Sequence, residues 1–126
     1  MNKYLLKPTD NSPLSAFLNG KSDYAMTLLE HFINQFNMLN PVFIHPTKSM
    51  LGIGNADKSA VWVTQIGKNF VHIVFAFRES HPDNLCFTKI AQVPGDANQF
   101  NHHFRMYQPD DINEEVLHYM TKACNQ

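Results

Sequence analysis

The stretch 60-AVWVTQIGKNFVHIVFAF-77 holds two runs rich in β-branched and aromatic residues on either side of Gly67-Lys68-Asn69. Such runs around a turn-prone tripeptide predict an antiparallel hairpin. Pairing Ile66 with Phe70 sets Val63 opposite Ile73 and Val61 opposite Phe75. Strand side chains alternate between faces, so Val61, Val63, Val71, Ile73, Phe75 and Phe77 share one side. Trp62, Thr64, His72 and Val74 share the other. The first set is wholly apolar and reads as core. The second is mixed, as suits a half-covered or ligand-facing surface.

Working outward, Val42 to Ile44 begins as extended chain after the breaker Asn40-Pro41. Further strands are expected at 48–54, ended by Gly54-Asn55, at 85–92, stopped by Pro94-Gly95, and at 100–107. Tyr24, Leu28, Leu29, Phe32, Ile33 and Phe36 recur at three- and four-residue spacing, which predicts a helix over 22–36. A second helix is expected over 110–123, on Ile112, Val116, Leu117, Met120 and Cys124. Ser12-Pro13 suits the start of a short helical turn, and Asn19-Gly20 its end. Each helix has one apolar stripe and needs an apolar sheet face to cover it. The expected fold is therefore α+β: a single domain over 12–126, with a mostly antiparallel sheet of five or six strands. An N-terminal and a C-terminal helix pack on that sheet, and residues 1–11 form a loose arm.

An apolar fraction of 44% with 17% charged residues is that of a globular chain, not a disordered one. Ten basic residues nearly cancel eleven acidic ones, so no global field draws the chain to nucleic acid as its main partner or to anionic membrane. Cys86 and Cys124 lie far apart and form no C-x-x-C pair, which leaves zinc-finger and redox-motif readings without support. The first residues, MNKYLLKPTD, lack the apolar centre of a signal peptide, and no apolar run approaches a membrane span. A soluble, cytoplasmic protein with no membrane partner is the default expectation.

The segment 101-NHHFRMYQPDDINEEV-116 invites a metal or catalytic reading. As a strand it divides the two histidines. His102 joins Phe100, Phe104 and Met106, while Asn101, His103, Arg105 and Tyr107 face the other way. The pair therefore cannot reach one metal ion from a regular strand, and no bound metal is expected. The acids have a structural use at the positive end of a helix, where Asp111 and Glu114 have capping-box spacing.

Several segments in order resemble the family designated domain of unknown function fifty-six fifty-five. They are 16-AFLNGKS-22, 44-IHPTKSMLGI-53, 70-FVHIVFAF-77 and 102-HHFRMYQPDDINEEV-116, and the resemblance as a whole covers residues 14 to 124. It implies a compact α+β domain and carries no established activity. Where members have Ser or Thr before the Pro-Asp-Asp helix start, this chain has Gln108.

Five residues stand out as candidate ligand contacts. Lys48 leaves the turn His45-Pro46-Thr47 and suits an anion, or the edge of a sheet, where a lysine discourages aggregation. Arg105 is a permanent planar donor for a carboxylate or phosphate, or a partner for Asp110 or Asp111. Trp62 and His72 share a face, either lining an aromatic pocket or covered by the N-terminal helix. His103 shares its face with Arg105. No catalytic residue or cofactor is assigned. Cys86 sits in an apolar run, Ser49 has no nucleophile-elbow context, and Gly52-Ile53-Gly54-Asn55 lacks the Lys-Ser/Thr of a phosphate loop. Two functional classes follow. The first is a non-catalytic module for a small anionic ligand or a protein partner, with a homodimer among the expected states. The alternative is an enzyme or accessory protein of nucleic-acid metabolism that uses the same basic and imidazole groups.

Overall fold

Val61 pairs with Phe75 and Val63 with Ile73 in the computed structural model, which describes residues 13–125. The expected arm over 1–11 and the cap at Ser12 lie outside the described residues. The hairpin is formed by β3 (Ser59–Ile66) and β4 (Val71–Phe77). One detail of its register differs from expectation. Past Val63 the pairing shifts, so Ile66 meets Val71 rather than Phe70, and Gln65 meets His72. Strict alternation would bury Gln65 and expose Ile66. The extra residue of a β-bulge at Thr64 reverses both, and Ile66 joins the core.

Around this hairpin lie β1 (Phe43–Pro46), β2 (Leu51–Gly54), β5 (Lys89–Gln92) and β6 (Phe100–Met106). The six strands form one sheet in the order β1-β2-β3-β4-β6-β5, and every neighbouring pair is antiparallel. Two strands are shorter than expected because a side chain captures the backbone at their start. Thr47 Oγ1 accepts the N–H of Met50 at 3.0 Å and folds 47–50 into a turn. Asn84 Oδ1 accepts the N–H of Phe87 at 2.9 Å, and Glu115 takes the N–H of Leu85 at 2.8 Å. Residues 85–88 are therefore a loop, and Cys86 is not in a strand.

Helices α1 (Pro13–Leu18), α2 (Asp23–Leu39) and α3 (Glu114–Cys124) place their apolar residues in one core with a single face of the sheet. Leu28, Leu29, Phe32, Ile33 and Phe36 of α2 are fully buried. The Phe32 ring meets Phe75 edge-on, with centroids 6.4 Å apart, which is a favoured geometry for aromatic quadrupoles. Ser22 caps α2 by accepting the N–H of Ala25, and its hydroxyl donates to the carbonyl of Lys68 at 2.6 Å. One side chain thus starts the helix and ties it to the β3–β4 turn.

The third helix begins four residues later than expected. Asp111 accepts the N–H groups of Tyr107 and Gln108 at 2.7 and 3.1 Å, closing a 3₁₀ turn over Pro109–Asp111. Ile112 is then extended, and Asn113 caps α3 by accepting the N–H of Val116 at 3.0 Å. The acids do serve a helix start, with Asn113 in the role given to Asp111. Asn113→Ala should cost about 1 kcal/mol, the usual value of a lost N-cap. A urea unfolding midpoint unchanged by that substitution would contradict the assignment.

An open sheet face with a directed imidazole chain

All three helices lie on the face of Val61, Ile73 and Phe75, and among the described residues no helix covers the opposite face of the sheet. Strand pairing lines up His45, Gly52, Trp62, Val74, His103 and Lys89 in one row across that face. A second row runs Gln65, His72, Arg105, and a third Ala76, Asn101, Ala91. None of these positions is acidic.

Three side chains form a connected chain. The Nε of Arg105 donates to Nδ1 of His72 at 3.1 Å, and Nε2 of His72 lies 2.8 Å from Nδ1 of His103. Arginine has no acceptor, so the proton positions follow from it. His72 Nδ1 accepts, and its proton therefore sits on Nε2. His103 Nδ1 then accepts, and its proton sits on Nε2 at the free end. The guanidinium stacks on Phe70, 4.3 Å from the ring centroid, and Tyr107 flanks that ring at 5.9 Å. Phe70 itself lies over Gly67, where any Cβ would run into its ring. Arg105 has no acidic partner among the described residues, so the pairing with Asp110 or Asp111 is not made. Asp111 is taken up by backbone N–H groups instead.

Both imidazoles of the chain are held below the usual histidine range. For His72 the largest cause is burial, followed by the neighbouring His103, Arg105 and Lys89. For His103 it is burial, followed by Lys89, its cross-strand partner.

The candidate residues thus fall into three places. His72, His103 and Arg105 come together. Trp62 shares their face but not their chain. It is not covered by the N-terminal helix, because α2 packs on the other side. The indole lies beside Gly52, where a Cβ would run into the Ser59 hydroxyl and stand 2.8 Å from Cζ3 of Trp62, so these two side chains together crowd the position. Lys48 is exposed in the β1–β2 turn. β3 and β4 separate β2 from the strand of Arg105, a distance of roughly 14 Å across three strand spacings. One small anion does not span that gap.

The adjacent histidines are divided as their alternation requires. His102 is fully buried on the core face, opposite Phe75. Its Nδ1–H donates to the carbonyl of Phe100 at 3.1 Å, and its Nε2 accepts the N–H of His81 at 3.1 Å. Both ring nitrogens are satisfied in the neutral form, and His102 is structural. The thiols are equally quiet. Burial, helped by Glu115, pushes Cys86 up to about 12, and burial pushes Cys124 up to about 11.

Sequence reading did not find Lys89, which reaches the chain only through the pairing of β5 with β6. It also passed over Lys58 and Arg78, which line a cleft of about 420 Å³ beside Trp62. Among the described residues no helix is long and apolar enough to cross a membrane.

The chain is thus a single α+β domain whose six-stranded antiparallel sheet is covered by helices on one side. No family model, curated protein or solved structure matches it.

Proposed function

We propose that this domain is a non-catalytic module that binds a small anionic ligand on the open sheet face, at Arg105, His72 and His103 with Lys89 alongside. The observation that supports the reading is the direction of the hydrogen-bond chain. It starts at a group that can only donate and ends at an N–H. Its exposed end therefore offers a donor to an acceptor-rich ligand, beside a lysine and on a face whose strand positions hold no carboxylate. A carboxylate or phosphate is the simplest ligand of that kind.

An anion next to these rings favours the imidazolium and raises their depressed pKa values toward 6.5. Histidine titrations followed by NMR should therefore move upward for His72 and His103 when inorganic phosphate replaces chloride at matched ionic strength. The melting temperature should also rise more in phosphate, by mass action. Phosphate stabilises most proteins in a general way, so Arg105→Ala supplies the baseline. That variant should keep the general salt effect and lose the specific part. Equal phosphate responses in both proteins, with unmoved histidine titrations, would sink the proposal.

A further inference from the structure

We infer that the cleft beside Trp62 is a second site, which binds a nucleotide unit: a planar nitrogen heterocycle stacked on the indole, with its phosphate held by Arg78 and Lys58. The inference does not rest on the imidazole chain.

The cleft has three parts suited to three parts of such a ligand. Its lining includes Trp62, with Ala60 two residues before it on β3 and Ala76 on β4. The indole is half-buried beside Gly52 of the neighbouring strand, and it is the aromatic part of a cleft whose lining is otherwise mostly polar. An indole takes other π-faces, and stacking on it tolerates different bases.

Its rim carries Arg78 and Lys58. Both are exposed, and neither has an acidic partner among the described residues. One carboxylate, Asp96, also lines the cleft against these two cations, with its Oδ1 accepting the N–H of Asn98 at 2.9 Å within its own turn. Two unpaired cations next to an indole fit a phosphate joined to a ring. The remaining wall includes the amides of Asn98 and Gln99. An amide presents a donor and an acceptor side by side, which matches the edge of a base better than that of a hydrocarbon ring. At about 420 Å³ the cleft lies in the size range of small-ligand sites.

The same chemistry comes from two sources, a free mononucleotide or one unit of a single strand. Trp62 is the only tryptophan, so its fluorescence reports this site alone. The full chain is titrated with adenosine 5′-monophosphate, adenosine, ribose 5-phosphate and a short single-stranded oligoadenylate, with excitation on the red edge of indole absorption. Saturable quenching by the monophosphate is expected, with adenosine weaker by about tenfold, the factor for one lost charge-assisted contact. Ribose 5-phosphate should leave the emission unchanged. Arg78→Ala should weaken binding by a similar factor at an unchanged melting temperature, and Arg105→Ala should not affect it. An oligoadenylate that binds far more tightly than the monophosphate assigns the site to a single strand. Similar affinities assign it to the free nucleotide. The inference is overturned if neither probe quenches saturably. It is also overturned if adenosine quenches as well as its phosphate and Arg78→Ala changes nothing.

Discussion

His102→Ala is expected to destabilise the domain by about 3 kcal/mol, combining an aromatic-sized cavity with a half-buried N–H left without an acceptor. That is a large part of the roughly 5–15 kcal/mol that holds a typical domain folded. The His102 ring packs edge-on to Phe77 and Phe87, at 4.9 and 5.1 Å between centroids. Its Nε2 is the acceptor that fixes the backbone of His81. The same residue makes the fold sensitive to acid. Burial is the largest cause lowering its pKa below the ordinary 6.5, and nearby His81 acts in the same direction. The unfolded chain therefore binds a proton more readily than the native one. Stability from this term is full above about pH 6.5 and is lost as pH falls through the folded value. Melting temperatures of the wild type should drop between pH 7 and 5. His102→Gln, which does not titrate, should give a shallower profile. The slope that remains comes from His72, His81 and His103, all lowered in the same sense. Parallel wild-type and His102→Gln profiles would show that His102 is not the group being titrated.

Gly54→Ala is the second large effect, expected at about 3 kcal/mol, the upper end of the usual cost of overpacking. A Cβ at this position would stand 2.6 Å from the nitrogen of Ala60 and 2.7 Å from Cα of Ser59, and would press on the carbonyl of Lys58. All three atoms are backbone, so no side chain can swing aside. The position lies at the register shift between β2 and β3. The adjoining turn is closed by Asn55, whose N–H donates to the Lys58 carbonyl at 3.0 Å. Gly95 provides the contrast. Its φ is +84° and nothing lies within 4 Å of a Cβ there, so Gly95→Ala tests backbone strain without a clash. A denaturation midpoint for Gly54→Ala at or above that of Gly95→Ala would refute the packing argument.

The fold class was readable because the deciding pattern is local. Alternation over 61–63 and 71–77 identifies the core face with no knowledge of neighbours, and the pairs Val61–Phe75 and Val63–Ile73 follow from it. The bulge was readable in principle, since strict alternation wastes Ile66 on solvent. The strand starts near 47 and 84 were not, because Thr47 and Asn84 look the same in a strand as in a turn until their hydroxyl or amide captures an N–H. For the site, parity alone puts His103 and Arg105 on one face. The link to His72 needs the register of β4 on β6, and these strands are not consecutive in the chain. The same non-local step conceals Lys89. It also conceals the cleft, whose Lys58, Arg78 and Gln99 come from three separate segments.

The stacking of Arg105 on Phe70 has a consequence at the far end of the imidazole chain. A neutral imidazole has one basic lone pair, and those of His72 and His103 are both occupied, one by the guanidinium and the other by the neighbouring ring. Two histidines 2.8 Å apart would ordinarily attract a soft cation, which needs those electron pairs. Here a cation would first have to break a bond that the arginine imposes. Arg105 therefore acts as a polarity switch set in one position, making a pair of potential electron donors present a hydrogen. Substituting it would remove a charge and also leave the two rings free to reverse.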